Sequence, residues 1–451
     1  MPFLAPIVGA IGAAATAVST FIAGIAGGSA LGSALVQFGA TFLINTAISA
    51  IFGKTPKVQD VARDLAQPTT APAYRFVYGE ARATGTPVGT PVKGDLIYGA
   101  WLLNSRPSDL STFTLYLDKR EVVLTGDAFD LTGPGATATE DPFSGHVTVW
   151  VSRGDHTAPP TEFTTDAPYV VGSADNMWKT TDAWKGRTMI WLKLNAGDTG
   201  KRQERWPSTP PLVEVEGRWS VVEDPRTGLT GWDNNHALCV RDALMNNPIR
   251  GYRAGQLHSS FDADGPNACD ELVDLNEGGT EKRYICAGTL VFNEGEIEDQ
   301  LNPMMISGAA DFIRVGGKLG YAAGVYREPT ETLTYLLGEG FEFPDMLPGS
   351  ELVNQLRVSY LSAARGYETA DLTPWDIPGA LAADGGVPAV KTVDLPFCPS
   401  PTQAMRVRKI TGLRQRRQER IQGGTLPPEA FNLVGGATVT IALPSPYNAL
   451  D

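Results

Sequence analysis

The side chains best suited to chemistry in this sequence are four histidines and four cysteines, and their spacing forms no familiar site. No two histidines have the H-E-x-x-H spacing of a zinc protease, and no two cysteines have the C-x-x-C spacing of a zinc or redox site. The sequence also has neither a G-x-x-x-x-G-K-[ST] phosphate loop nor a G-x-S-x-G nucleophile elbow. We therefore expect no catalytic residue, cofactor or metal. The eight residues are His146, His156, His236, His258, Cys239, Cys269, Cys286 and Cys398.

Two acidic groups come closest to a site. The stretch Asp262-x-Asp264-Gly265 begins like a calcium loop, but its twelfth position would be Val273, where an EF-hand carries a glutamate. A second group of carboxylates could supply the paired acids of a glycosidase. Carboxylates also suit the first turn of a helix, where the backbone dipole is positive, and we expect that structural role here. The group consists of Glu294, Glu296, Glu298 and Asp299.

The composition favours a turn-rich globular protein with several domains. Of the 451 residues, 42% are apolar, 19% are charged, 49 are Gly and 33 are Pro. A chain of this length normally forms about two to four domains, and its Gly and Pro content lies below that of disordered chains. The net charge of -13 argues against a dedicated nucleic-acid binder, which normally presents a basic face.

The first 53 residues contain no Asp, Glu, Lys or Arg. Two apolar stretches, 7–26 and 31–52, are each about long enough to span a bilayer, and small residues at four-residue spacing permit close helix packing. We interpret residues 1–53 as an apolar leader that forms a helical hairpin and is buried in an assembly. The residues expected to face a lumen or a membrane are Gly24, Gly28, Gly32, Phe21, Phe38 and Phe42.

Other interpretations of the leader are weaker or stay open. A signal peptide fits poorly, because the leader lacks a basic start and its apolar stretch is too long. A pair of transmembrane helices fits the length but lacks positive flanks and aromatic belts. Membrane insertion at some stage, and a weakly hydrophobic leader that is poorly ordered alone, both stay open beside burial in an assembly.

The rest of the sequence predicts a β-rich, multidomain α+β chain with short helices. Residues 54–73 have the polar, proline-containing composition of a linker. Short aromatic and β-branched runs predict a β domain over 74–230, with a loop-rich insertion near 126–186. A mixed α/β domain is expected over 231–345, and a C-terminal β domain with one basic helix over 346–451.

Three local patterns within these domains are distinct. Asp233, Asn234 and Asn235 offer N-cap oxygens to a helix whose apolar face includes Leu238 and Leu244. Residues 266–275 have the pattern of a second short helix, with a proline near its start. Glycines 316 and 317 predict the turn of a hairpin.

Basic residues concentrate in a helix predicted over 402–420, which keeps one apolar side through Val407, Ile410 and Leu413. Nucleic-acid contact is one interpretation of such a helix. On a chain of net charge -13, we expect instead that it faces solvent or an acidic neighbouring subunit. Replacement of its arginines would then weaken assembly and leave the isolated fold nearly intact. The predicted interface residues are Arg406, Arg414, Arg416, Arg417 and Arg420.

Six stretches of the middle and end of the chain follow one another in a characteristic order. They read DPRTG at 224–228, WDNNHALCVRD at 232–242, NACDE at 267–271, EKRYICAG at 281–288, GGKLGYAAG at 316–324, and DLPF at 394–397 with QAMR at 403–406. Together they resemble the phage tail tip attachment proteins, the central hubs of siphophage tail tips and the family of the lambda host-specificity protein. The resemblance covers about residues 74–445, and His236 stands where the family commonly has proline.

The resemblance implies a structural role in the tail tip of a virion that is assembled in the host cytoplasm. Such hubs are homotrimers, whose tail-tube-like β-barrel domains form a ring that joins the distal tail ring protein to a threefold tip. The lumen holds the C-terminus of the tape measure protein, and genomic DNA later passes through it without specific binding. The leader would then plug the lumen, with transient contact to the host membrane on DNA ejection.

Family members are often more than twice as long as this chain, so we expect receptor binding to reside on separate tip or receptor-binding proteins. Assembly in a reducing cytoplasm also implies that the four cysteines are free, buried thiols. Two alternatives to a structural hub stay open. One is a tail-associated enzyme that degrades cell wall or capsule, which would need a convergent polar site. The other is a dedicated membrane-penetrating protein.

Deletion of residues 1–53 tests the proposed leader. We expect a more soluble chain, because about forty exposed apolar residues would otherwise form an aggregation surface. Particles that carry the deletion should fail to retain the tape measure protein or to deliver DNA, as measured by DNA retention and infectivity. Gly24→Leu with Gly28→Leu should disturb the particles more than Phe21→Leu, since close packing needs small residues. Normal infection by particles without the leader would show that it is dispensable.

Overall fold

The computed structural model describes residues 74–167, 178–292, 296–335, 337–342, 353–417, 423–433 and 437–442. The predicted leader hairpin over 1–53 and the linker over 54–73 lie outside these residues. The described part of the chain is an α+β protein in which strands outnumber helices and form several separate sheets. The predicted β-rich fold class is therefore confirmed.

The strands are mostly short. In chain order they are β1 (Arg75–Tyr78), β2 (Glu80–Thr84), β3 (Thr86–Gly89), β4 (Val92–Lys93), β5 (Leu96–Asn104), β6 (Phe113–Leu117), β7 (Arg120–Val122), β8 (Leu124–Thr125), β9 (Ala136–Ala138), β10 (Val147–Ser152), β11 (Thr188–Asn195), β12 (Val213–Arg218), β13 (Val221–Asp224), β14 (Leu229–Trp232), β15 (Leu272–Asp274), β16 (Thr280–Lys282), β17 (Gly288–Val291), β18 (Asp311–Val315), β19 (Lys318–Ala322), β20 (Glu331–Leu333), β21 (Leu337–Glu342), β22 (Gln355–Ser362), β23 (Glu368–Asp371), β24 (Trp375–Asp376), β25 (Val390–Leu395), β26 (Gly423–Thr425) and β27 (Val439–Ile441).

Most of the α-helices span fewer than a dozen residues. They are α1 (Thr161–Asp166), α2 (Arg202–Arg205), α3 (His236–Met245), α4 (Asp264–Asp270), α5 (Ile297–Ser307), α6 (Ala380–Ala383) and α7 (Pro401–Arg417). Turns of 3₁₀-helix occur at Ala254–Gln256, Ser259–Phe261, Ala363–Arg365 and Pro428–Asn432.

The chain divides into two compact units, each built from separate segments. Among the described residues, the first unit contains Thr84–Leu103 and Thr114–Val215, and the second contains 74–83, Asn104–Phe113 and the residues from Glu216 onward. These units do not follow the boundaries predicted at residues 230 and 345. In the second unit one apolar core includes side chains from Phe76 to Val407, so the segments predicted as two domains share a single core.

The first unit is built on a seven-stranded sheet of order β3-β5-β11-β10-β9-β8, with β4 also beside β5. Strands β10 and β11 pair antiparallel with Trp150 opposite Trp191. Both strands are buried on both faces, which explains why their sequences are continuous apolar runs rather than alternating ones. The insertion predicted as loop-rich near 126–186 contains β9, β10 and α1, and its other described residues form turns and loops.

An aromatic cluster covers one face of this sheet. The ring of Phe163, on α1, lies 5.1 Å from that of Trp191 and 5.7 Å from that of Trp150. The Tyr98 and Trp178 rings complete the cluster, and all these pairs meet edge to face. That arrangement suits the quadrupoles of aromatic rings. The helix of only six residues is held by Phe163 and also by the carboxylates of Glu162, which pairs with Lys193, and Asp166, which pairs with Lys93.

The other large sheets also stay open. One has four strands in the order β2-β12-β6-β7, and another places β23 and β24 on one edge of β22 and β25 on the other. None of the sheets in the described residues closes into a barrel. The remaining strands form two-stranded pairs, including β1 with β17 and β13 with β14.

Helix α3 begins directly after Asn235, one of the three predicted N-cap residues. The Asn235 side chain accepts hydrogen bonds from the backbone N–H groups of Ala237 and Leu238, which satisfies donors that a helix start leaves unpaired. Nine of its ten residues are buried, so the helix is enclosed by the core and carries apolar residues around its circumference.

Two further predictions have different outcomes. The hairpin around Gly316 and Gly317 is confirmed as β18 paired with β19. The helix predicted over 266–275 is shorter, because α4 ends at Asp270 and the following residues form β15, which pairs with β16. Backbone partners on β16 therefore replace the helical hydrogen bonds that residues 272–274 would have made.

The four cysteines are free and buried, as predicted. All four belong to the core of the second unit. Burial raises the pKa of Cys269 and of Cys398 to about 12, so these thiols stay protonated and behave as small apolar side chains.

His236 should make the stability of the second unit depend on pH. Its buried ring contacts the Tyr321 hydroxyl at 2.8 Å and the Met304 carbonyl at 2.7 Å. Burial lowers its pKa from 6.5 to about 4, although the bond to Met304 opposes this. Between these two values the unfolded chain binds more protons than the folded chain, so stability is full above pH 6.5 and is lost as the pH falls toward 4.

We expect this one group to lower the free energy of unfolding by about 2 kcal/mol between pH 7 and pH 5. Urea unfolding followed by tryptophan fluorescence at both pH values measures the difference. His236→Gln should remove that part of the pH dependence. His258→Gln, at a half-buried histidine elsewhere in the unit, should retain it, and an equal pH dependence in the two variants would contradict the assignment.

Candidate subunit interface

Helix α7 carries the arginines that the sequence assigned to a subunit interface. The inward side of its first two turns contains Gln403, Ala404 and Val407, all fully buried, and Gly412, further along the helix, is also enclosed. A side chain at Gly412 would meet the Leu356 and Trp375 side chains at under 3.0 Å. Small and apolar residues therefore allow the helix to pack closely against β22 and β24. This packing determines which way the arginines of the helix point.

Arg406 is engaged within the chain. Its guanidinium donates to the Glu281 carboxylate at 2.5 Å and to the Arg283 carbonyl at 2.8 Å. Burial of Glu281 would raise the pKa of its carboxyl, but hydrogen bonds from Thr402 and Arg406 outweigh that effect and hold the pKa below its usual value. The carboxylate is thus kept charged and fastens α7 to the segment that contains β16.

Arg414 and Arg416 also have carboxylate partners in their own chain. Arg414 donates to Asp311 at 2.7 Å. Arg416 donates hydrogen bonds to both carboxylate oxygens of Asp384, at 2.7 and 3.0 Å, and Asn354 donates to the same carboxylate. The hydrogen bonds from Arg416 and Asn354 lower the pKa of Asp384. The expectation that replacement of these arginines leaves the isolated fold nearly intact stays a prediction.

The other predicted interface residues are less informative. Arg417 is the last described residue of α7, and only its backbone is described. Arg420 and the leader residues Gly24, Gly28, Gly32, Phe21, Phe38 and Phe42 lie outside the described residues.

The outward side of α7 is still available for contact. Lys409 is exposed, and Met405, one turn earlier, exposes 47% of its surface. Arg408 donates to the Thr373 carbonyl at 2.5 Å, and its guanidinium lies 5.7 Å from the centre of the Trp375 ring. In the described residues neither Arg408 nor Lys409 forms an ion pair with a carboxylate of the chain, so this side combines apolar surface with unneutralised positive charge.

The six ordered stretches meet in the second unit. Five of them contribute side chains to its core, and DPRTG is attached through Arg226, which pairs with Asp270 of the NACDE stretch at 2.8 Å. Gly288, with a φ of +148°, lies so close to the DLPF stretch that a side chain would meet the Pro396 carbonyl oxygen at 2.7 Å. Glycine is therefore required there by both space and backbone conformation.

A buried charged cluster in the same unit was not predicted. The Asp242 carboxylate, 7% exposed, accepts from the Tyr78 hydroxyl at 2.8 Å and from Arg106 at 2.5 Å. Burial raises the pKa of Asp242 despite the opposing effect of Arg106. Its partners are 164 and 136 residues away in sequence, so no local pattern could reveal the cluster.

Two of the acidic residues weighed as sites have basic partners in the chain, and Glu294 lies outside the described residues. Glu298 lies in the first turn of α5 and pairs with Arg314, and Asp262 lies 3.5 Å from Arg241. Across the described residues no three His, Cys, Asp or Glu side chains are grouped to hold a metal ion. No helix in this part of the chain is long and apolar enough to cross a membrane.

No protein-family model matches the chain, and no curated protein matches it.

Replacement of Arg406 should destabilise the fold. Arg406→Ala leaves the partly buried Glu281 and the Arg283 carbonyl without their charged donor, which we expect to lower the free energy of unfolding by about 2 kcal/mol. Lys409→Ala, on the outward side of the same helix, should change it by less than about 0.5 kcal/mol. Chemical denaturation of both variants measures the difference, and equal stabilities would show that the Arg406 contacts contribute nothing.

Proposed function

We propose that this chain is the central structural hub of a phage tail tip, a homotrimer that closes or extends the tail tube and connects the distal tail ring protein to the tip. The observation that carries the proposal is the order of the six family-like stretches. Their convergence on one core in the second unit favours a shared fold over chance composition as the source of the resemblance. The proposed role is structural and needs no catalytic step.

The first unit fits a wall of such a hub. Its seven-stranded sheet ends at β3 and β8, and strand edges of this kind present unpaired backbone groups that a neighbouring element can cover. We propose that the open sheets of this chain form the tail-tube-like barrel domains when copies assemble around the lumen. Barrel closure would then be a property of the assembly.

Charge supports a lumen that DNA crosses without binding. The chain carries net charge -13, and its first 53 residues contribute no Asp, Glu, Lys or Arg. Three of the arginines in the basic helix are neutralised internally by Glu281, Asp311 and Asp384. A predominantly negative wall repels the phosphate backbone, so genomic DNA can pass without adhering.

The leader has a role in the same proposal. Three uncharged hairpins can pack around a threefold axis without burial of any charge, where they would plug the lumen against the C-terminus of the tape measure protein. On DNA ejection the same apolar surface could make transient contact with the host membrane. Separate tip or receptor-binding proteins would engage the host, and the chain would reside at the tail tip of the virion.

A threefold assembly is the direct test. The full chain, purified without denaturant, should have a native mass of about 144 kDa, three copies of the 48.1 kDa chain. Mass photometry measures the solution species, and electron cryomicroscopy of intact particles locates the chain at the tail tip. A monomer within the particle, or absence of the chain from the tip, would refute the proposal.

A further inference from the structure

The described residues within 326–342 and 423–442 belong to the second unit, and we call them the arm. It contains two ribbons of two strands each, β20 parallel to β27 and β21 antiparallel to β26. Neither ribbon has a third strand in the described residues. Two-stranded ribbons are marginally stable in water and normally need another surface to pack against.

The arm exposes large apolar side chains. Phe431 is 91% exposed and Tyr326 is 80% exposed, whereas most aromatic side chains of the described residues are buried in a core. Leu426, Leu337 and Ile441 are also exposed. Several large apolar side chains left exposed in one part of the chain are typical of a surface that another protein covers.

The arm is acidic. The sequence of its two segments contains five glutamates and one arginine. The charged side chains with described positions include Glu331, which lies exposed on β20. A surface that docks onto the arm should therefore combine apolar area with positive charge.

The outward side of α7 has this combination. Met405 supplies apolar surface, and Arg408 and Lys409 supply positive charge that no carboxylate of the described residues neutralises by an ion pair. The arm does not cover this side within one copy, because Phe431 and Met405 both stay exposed. Complementary surfaces that are both exposed in one copy can cover each other between two copies.

We propose that the arm of one copy of this chain docks on the outward side of α7 of a second copy. Phe431 and Tyr326 would pack against Met405, and the glutamates of the arm would face Arg408 and Lys409. Repeated around an axis, this head-to-tail contact closes a ring. This is the contact through which copies would meet in the proposed hub, so the inference rests on the proposed function.

The test measures self-association of the full chain by sedimentation velocity over a range of concentrations. Phe431→Ser with Tyr326→Ser should raise the dissociation constant at least tenfold. Leu229→Ser is the matched control, since Leu229 is 71% exposed and lies at the β13–β14 hairpin outside the arm; it should leave the constant unchanged. Thermal unfolding of each variant checks that the fold is retained.

A charge exchange tests the pairing of the two surfaces. Lys409→Glu alone should weaken association at least tenfold at low salt, and the double variant Lys409→Glu with Glu331→Lys should restore most of it. Loss of association in the double variant equal to that in the single variant would overturn the pairing. Association unaffected by the Phe431 and Tyr326 substitutions would overturn the role of the arm.

The outcomes separate this inference from the proposed function. A trimer that ignores the arm substitutions would support the hub and overturn the arm contact. An assembly of another copy number that dissociates on arm substitution would support the contact and refute the trimer. A parent chain that stays monomeric at all concentrations would overturn the contact between copies and assign the arm to a different protein.

Discussion

The side-chain amide of Gln403 links the start of α7 to the backbone at Ile285 and to the end of α5, and the arrangement of the second unit depends on this link. Its carbonyl oxygen accepts from the Ile285 N–H, and its nitrogen donates to the Ile285 carbonyl and to the Ser307 carbonyl, at 3.0 to 3.1 Å. The side chain is fully buried, so both of its donors and its acceptor are satisfied inside the protein. A leucine in its place would leave three backbone groups unpaired, which makes this position specific for an amide.

That anchor fixes the rotation of α7, and the distribution of charge follows from it. With Gln403 and Val407 turned inward, Arg406 and Arg414 reach acidic partners at the flanks of the helix, and Lys409 points outward. The basic helix α7 therefore has one side whose arginines stabilise the fold through internal ion pairs. Its other side is exposed and can contact other molecules. Sequence alone presents the two sides as one cluster of charge.

Features that depend on neighbouring residues could be predicted, and features that depend on distant ones could not. The Asn235 cap and the hairpin at Gly316 depend on backbone conformations a few residues long. The pair between Arg406 and Glu281 spans 125 residues, and no pattern in either segment identifies the other. The same limit explains why one core extends across the boundary predicted at residue 345, since a shared core is visible only once the segments are packed.

The first position of α3 is one at which proline is common in helices, and here it is a histidine. Proline is favoured at the first helical position because its φ angle is already helical and its missing N–H would have no intrahelical partner. His236 occupies that position here, and its own N–H finds the Tyr284 carbonyl at 3.4 Å. Its ring adds bonds to Tyr321 and to the Met304 carbonyl, so β19 and α5 are fastened to the helix start. Proline would stabilise the helix start through its restricted backbone, whereas the histidine stabilises it through buried hydrogen bonds. Only the histidine makes the stability of that junction depend on pH.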